Sequence, residues 1–326
     1  MKIKTEIKNI LDLMRWKKRF LITSHKDPDG DSIGSQLALY YALKQKGKQV
    51  HVVNQGGLPE KYGFLDNENV VVFSAQAPLQ KPEAVFILEC PALERIGFVS
   101  DLIPKSSKVI NIDHHLDNQE YGDINWVDAK SCAVGELVYN LLDSGGYEIT
   151  PTIARDLYAA IICDTGNFRF ASTTARGMKI AAKLVEKGAK PKLIFDQIFS
   201  KASPATLRLL GLTLESLNVM SNGKISYLTV SRDIVSRAKA RIEDSEGFVD
   251  YALAVAGVRM GILFKEMGEE EVKVSIRSQN GINAVAFARS FDGGGHVNAA
   301  GFTLHGKLKE IIREVVGKAE EYVNSN

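Results

Sequence analysis

Val109-Ile110-Asn111-Ile112-Asp113-His114-His115 is a short apolar run that ends abruptly in one acid and two imidazoles. A run of this length and composition reads as a buried parallel strand. Far upstream, Phe20-Leu21-Ile22-Thr23-Ser24 has the same character and empties into His25-Lys26-Asp27-Pro28-Asp29-Gly30-Asp31. Acids and imidazoles therefore gather where strands end, which is where open α/β sheets collect ligands. Four of the six histidines (His25, His114, His115 and His296) fall in motifs of this kind.

Working outward, further buried strands are expected at Gln49 to Asn54, Val70 to Phe73 and Ala84 to Leu88. Helices fit Ile3 to Met14, a segment after the His25 loop that ends near Gly47, Cys132 to Leu142, Pro151 to Ile162, and Thr174 to Lys187. Strands alternating with helices predict an α/β fold with a doubly wound, mostly parallel sheet. From Pro191 to Met220 the pattern is purely helical. Beyond Asn222-Gly223 shorter strands follow at Ile225 to Val230, Gly261 to Phe264 and Val272 to Ile276, with Gly268-Glu269-Glu270 as a hairpin turn. Helices are expected around Phe248 to Ala256, Asn283 to Phe291 and Leu308 to Val323. The organisation expected is a first domain over residues 1–190, a helical connector over 191–220, and a smaller mixed α/β domain over 221–326.

A chain of 326 residues with 45% hydrophobic and 25% charged residues has the composition of a globular protein with a sizeable core. The formal charge of +2 argues against a long nucleic-acid scaffold, but it allows a short anion in one local basic cleft. Cys90, Cys132 and Cys163 form no CxxC pair, so reduced thiols in a reducing compartment are expected. No apolar run approaches the ~20 residues that a membrane span needs. The charged, amphipathic start is unlike a signal peptide, and a cytoplasmic protein without a membrane partner is expected.

The chemistry-bearing residues form five groups. His25, Asp29 and Asp31 lie on a tight Pro-Asp-Gly turn before a helix, and one imidazole with two carboxylates suits a cation such as Mn²⁺. A polar turn with helix-capping acids is an equal alternative when this segment is taken alone. Asp113-His114-His115 sets three titratable groups at a strand end, with Asp113 or Asp117 available to hold an imidazole tautomer. Asp164 closes the apolar helix Pro151 to Ile162 at the negative end of its dipole, a conflict that a bound cation relieves. Glu89 follows the strand Ala84 to Leu88 and reads either as a ligand or as a rim acid partnering Arg95. Gly293-Gly294-Gly295-His296 reads as a phosphate nest of converging N–H groups or as a flexible turn. Arg277, beside Ser278, ends a strand where it can grip a terminal phosphate or serve as a surface charge.

Taken in order, His25-Lys26-Asp27-Pro28-Asp29-Gly30-Asp31-Ser32-Ile33-Gly34-Ser35, Ile112-Asp113-His114-His115, Asp164-Thr165-Gly166, Ser275-Ile276-Arg277-Ser278 and Gly293-Gly294-Gly295-His296 with Ala299-Ala300-Gly301 cover nearly the whole chain. This ordered set resembles the DHH/DHHA1 phosphoesterase family, in particular its nanoRNase/pAp-phosphatase type. The resemblance implies two divalent metal ions, Mn²⁺ foremost, with Mg²⁺ or Co²⁺ as alternatives. It implies one metal held by His25, Asp29 and a bridging acid, and another held by Asp31, His114, Asp164 and the same bridge. The bridge falls on Glu89, where the family carries aspartate, so the extra methylene must be absorbed by the site. Asp292 is a second departure, standing where the family extends its glycine run.

The expected reaction is hydrolysis of a phosphoester at a paired metal centre, with His115 contacting the scissile phosphate or protonating the leaving oxygen. Gly293 to Gly295, His296, Arg277 and Ser278 are expected to hold the far end of the substrate, whose length the gap between domains would measure. Expected substrates are short oligonucleotides, dinucleotides or pAp-like mononucleotide bisphosphates. Three alternatives stay open: a pyrophosphatase or exopolyphosphatase, a nucleotide-binding sensor with an impaired centre, and a cyclic-dinucleotide hydrolase. Oligomeric state, including a homodimer, is left open.

Overall fold

The structure, a computed structural model, describes residues 5–75 and 80–325, without the side chain of His296. The chain divides into two compact units, Met1–Lys201 and Ala202–Asn326. The first contains, in order, α1 (Thr5–Trp16), β1 (Arg19–Thr23), α2 (Gly30–Gln45), β2 (Gln49–Val53), β3 (Val71–Val72), β4 (Ala84–Leu88), β5 (Lys108–Asp113), β6 (Ile124–Val127), α3 (Val134–Ser144), α4 (Pro151–Asp164), α5 (Ala175–Glu186) and α6 (Pro191–Phe199).

The six strands are all parallel and run β3-β2-β1-β4-β5-β6 across the sheet. That order reverses direction between β1 and β4, so the carboxyl ends of these two strands open a crevice. His25 follows β1 closely, Glu89 follows β4 directly, and Asp113 ends β5. β4 is buried along its whole length, which is why it reads as an unbroken apolar run. β6, Ile124-Asn125-Trp126-Val127, was not expected from the sequence. As an edge strand it buries only Trp126 and carries no continuous apolar signature. α2 lies so close to α4 that a Cβ on Gly34 would stand 2.4 Å from the Asp156 carbonyl oxygen, so glycine is required there.

The second unit comprises α7 (Pro204–Glu215), β7 (Asn218–Met220), β8 (Ile225–Val230), α8 (Arg232–Ala238), α9 (Val249–Leu253), β9 (Met260–Glu266), β10 (Glu271–Ser278), α10 (Ala284–Arg289), β11 (Gly294–His296), β12 (Ala299–His305) and α11 (Leu308–Ser325). Its sheet runs β11-β12-β10-β9-β8-β7, with β8 and β9 parallel and the other pairs antiparallel. The expected hairpin joins β9 to β10, where the Met267 N–H donates to the Glu271 carbonyl at 2.8 Å. One sheet face packs on α10 and α11 through Ile262, Phe264, Phe287 and Val315. The other packs on α7, α8 and α9 through Leu228, Leu263 and Leu209. Of the segment read as a connector, α6 buries Ile194 in the core of the first unit, and α7 buries Leu209 in that of the second.

The glycine triplet corrects an expectation. Gly294–His296 form an extended edge strand paired with β12, not a turn of converging N–H groups. The Gly293 N–H is spent on the Ala288 carbonyl at 2.9 Å. Glycine is needed at 295 because φ is +137° and a Cβ would lie 2.4 Å from the Ala299 carbonyl oxygen. Backbone groups presented by this segment would come from the open side of a sheet edge.

Candidate metal centre

The loop from β1 to α2 is built around Asp29, which caps α2. Its Oδ1 accepts from the Ser32 N–H at 2.9 Å and from the Ser32 hydroxyl at 3.0 Å. The same hydroxyl lies 2.5 Å from Glu89 Oε2 and 3.0 Å from His25 Nε2. His25 Nε2 is 3.5 Å from that Glu89 oxygen. Ser32 thus ties His25, Asp29 and Glu89 into one knot. Glu89 is buried, not a rim acid, and it holds a left-handed φ of +52° at the end of β4. That conformation is rare for a residue with a long side chain, and such strain gathers at functional sites.

Asp31, in the first turn of α2, is fully buried. Its Oδ2 accepts from the Val134 N–H at 2.6 Å, and its Oδ1 from the Gly135 N–H at 2.8 Å and the Ser35 hydroxyl at 3.0 Å. The start of α3 therefore fixes this carboxylate through N–H groups left open at a helix beginning. Nothing in the sequence signalled that partnership, because Asp31 and Val134 are far apart along the chain. His114 holds its Nδ1 against the Ser131 carbonyl at 3.1 Å, so a backbone oxygen sets its tautomer, where a nearby carboxylate had been expected. Its Nε2 is buried, has no hydrogen-bond partner among the described residues, and stands 3.5 Å from Asp164 Oδ2. Asp164 is the last residue of α4, as the apolar helix pattern suggested.

Asp113 serves the other imidazole. Its Oδ1 is 2.7 Å from His115 Nδ1 and accepts the His114 N–H at 2.8 Å, while its Oδ2 accepts from Asn118 at 2.6 Å. Burial alone would push the Asp113 pKa up, but hydrogen bonds from His115, Asn118 and the His114 N–H hold it below the ordinary value. Asp117, the other acid considered for this role, is exposed.

Three groups of ligand atoms, each within 4.8 Å of one another, emerge among the described residues: His25, Asp29 and Glu89; Asp31, His114 and Asp164; and Glu89, His114 and His115. The first two groups have the composition expected of the two halves of the centre, and Glu89 approaches both. The electrostatics fit a cation. Burial first, and neighbouring acids second, raise Asp31 to about 8 and Glu89 well above its usual range. Burial likewise raises Asp164 to about 6, against the pull of His114. Burial depresses His25. For His114 burial works downward too, but Asp164 and Asp31 hold its pKa above the ordinary value. Asp29 falls below its usual value, because His25 and the Ser32 N–H outweigh burial. Four acids with an unpartnered imidazole nitrogen are what a pair of divalent cations would complete.

In the second unit, Arg277 Nε is 3.3 Å from Asp250 Oδ1, and the guanidinium remains about one-third exposed at 32%. The Ser278 hydroxyl is buried and donates to the Ile282 carbonyl at 2.7 Å, so it faces the fold. Arg277 pairs with Ala299, which pairs with His296, placing the backbones of Arg277 and His296 in one row of the sheet. The His296 side chain lies outside the described residues. Asp292 is exposed with a φ of +57°, a conformation that aspartate tolerates better than most residues.

Fold and site define an α/β protein of two units with a candidate dinuclear centre at the switch point of a doubly wound sheet. Residues 19–161 match the DHH family, N-terminal domain, and residues 222–325 match the DHHA1 domain. The chain belongs to the DHH/DHHA1 family. It is 36% identical over 307 residues to the bifunctional oligoribonuclease and PAP phosphatase NrnA of Thermus thermophilus, spanning 91% of this chain and 90% of that one. Its identity to the Bacillus subtilis protein of the same name is 25% over 312 residues, with 93% and 94% covered. The crystal structure of an exopolyphosphatase-related protein from Bacteroides fragilis superposes with a TM-score of 0.92 at 27% identity, covering 98% of this chain and 96% of that one. No helix among the described residues is long and apolar enough to cross a membrane.

Proposed function

We propose that this protein hydrolyses short oligonucleotides and pAp-like 3′,5′-nucleotides with two divalent cations, Mn²⁺ foremost. The observation that carries the reading is the pairing of His25-Asp29-Glu89 with Asp31-His114-Asp164 at the sheet's switch point. The similarity along nine-tenths of the chain to a bifunctional oligoribonuclease and PAP phosphatase supports the substrate class. In this reading His25 and Asp29 would hold one cation and Asp31, His114 and Asp164 would hold the other, with Glu89 available to both. When bound, such a pair acidifies an attacking water and neutralises charge on the phosphoryl group.

The chain's own residues then orient and protonate. Ser131 holds His114 with Nδ1 turned to the backbone, leaving Nε2 for ligation. Asp113 orients His115 through Nδ1, and this imidazole is the group that would deliver a proton to the leaving oxygen. Asp113 is suited to this as a buried acceptor fixed by Asn118 and the His114 N–H. Arg277 would take a non-scissile phosphate in exchange for Asp250, with the 294–296 edge presenting backbone donors. The hydroxyl of Ser278 contributes by fixing the backbone of this segment, not by touching the substrate. The three cysteines are free, in keeping with a reducing cytoplasm.

The test is a hydrolysis panel with Mn²⁺ over pAp, dinucleotides, five-residue RNA and pyrophosphate. Turnover of pAp or short RNA well above pyrophosphate is the expected result. Preferential cleavage of pyrophosphate would overturn the substrate class. Mn²⁺ binding without turnover of any of them would favour the sensor.

A further inference from the structure

Arg176, in the first turn of α5, stands outside the centre yet reaches the segment that shapes it. Its guanidinium pairs with the fully buried Glu136, donates to the Ser131 hydroxyl at 3.0 Å, and donates to Asp128 Oδ2 at 3.3 Å. Glu136 in turn accepts the Cys132 N–H at 3.0 Å. α5 is seated tightly here, since a Cβ on Gly177 would lie 2.4 Å from Cys132 Sγ. Three acceptors between residues 128 and 136 thus converge on one planar fork, a geometry that lysine cannot reproduce.

That same segment supplies the Ser131 carbonyl to His114 and the Val134 and Gly135 N–H groups to Asp31. We propose that Arg176 is a positioning residue: it pins residues 128–136 and thereby sets His114 and Asp31 for one cation, leaving the His25–Asp29 half untouched. The inference rests on His114 and Asp31 being cation ligands. Its particular content is selectivity, because His25 and Asp29 are held by Ser32 and make no contact with this segment among the bonds described.

The test is a calorimetric Mn²⁺ titration of metal-stripped full-length protein, with thermal melts in chelator alongside. Arg176→Ala alone leaves the buried Glu136 carboxylate unpaired and threatens folding. The decisive variant is therefore Arg176→Ala/Glu136→Gln, which removes both charges while an amide oxygen remains for the Cys132 N–H. The parent should bind two ions. The double variant should keep one at parent affinity and weaken the other by about tenfold or more, within the range seen for outer-shell partners of metal ligands. Arg176→Lys should fall between them. In a His114→Ala background the Arg176 and Glu136 changes should cost less Mn²⁺ affinity than in the parent, because the part of their effect that runs through His114 is already gone. Two ions bound at parent affinity, or both weakened equally alongside a lowered melting temperature, would overturn the proposal. A parent protein that binds no Mn²⁺ would instead sink the metal-centre reading.

Discussion

Glu89→Asp tests the least ordinary residue of the centre. Two stability terms oppose each other. Glu89 adopts φ +52°, and a left-handed residue costs about 1–2 kcal/mol, part of which aspartate recovers through local hydrogen bonding. Against this, the side chain is buried at 3% exposure, and removing one methylene forfeits about 0.8 kcal/mol of transfer energy plus a small cavity term. The net change should stay within about 1 kcal/mol, and the melting temperature of chelated protein within about 4 °C. Reach changes more. Shortening by one C–C bond withdraws the carboxylate by roughly 1.5 Å. The 2.5 Å contact with Ser32 must then break or rearrange. Because His25 and Asp29 remain in place around the same Ser32, activity should be retained or should rise. The assay is kcat/KM on a dinucleotide and on pAp with Mn²⁺, beside chelated melts. A hundredfold loss of kcat/KM with an unchanged melt would show that the centre is built around glutamate. A loss of several degrees would refute the cancellation of strain against burial.

His114→Ala should remove Mn²⁺-dependent turnover by at least about 10³-fold while leaving the fold intact, and full activity in that variant would remove the ligand assignment. Arg277→Ala should raise KM for pAp and dinucleotides about tenfold or more with kcat little changed, a pattern that separates phosphate binding from chemistry. Asp156 supplies a pH effect away from the centre, since burial raises its pKa to about 7 despite the neighbouring Arg155. The native state then keeps a proton that the unfolded chain releases near pH 4, so stability falls as pH rises from about 4 to 7 and levels off above. Asp156→Asn should therefore gain about 2–3 kcal/mol relative to the parent between pH 5 and pH 8. Denaturant unfolding at the two pH values reads this directly, and an equal gain at both would refute it.

Several determinants were local enough to be read without coordinates. β1, β4 and β5 are buried on both faces, so their apolar runs announced strands and placed His25, Glu89 and Asp113 at strand ends. Asp164 stood out because an acid at the end of an apolar helix is electrostatically costly. β6 escaped because an edge strand needs no continuous apolar run, and the glycine triplet was misread because glycine permits both a nest and an extended edge.

Residue order by itself determined which chemical groups this protein can bring to a strand end and how strands alternate with helices, because both follow from local periodicity and residue type. Only the tertiary structure decided which groups meet: Ser32 joining Glu89 across 57 positions, α3 capping Asp31 across 103, and a carbonyl in place of a carboxylate behind His114. Such meetings depend on the strand order of the sheet and on helix packing, which bring distant segments to one crevice through long-range burial.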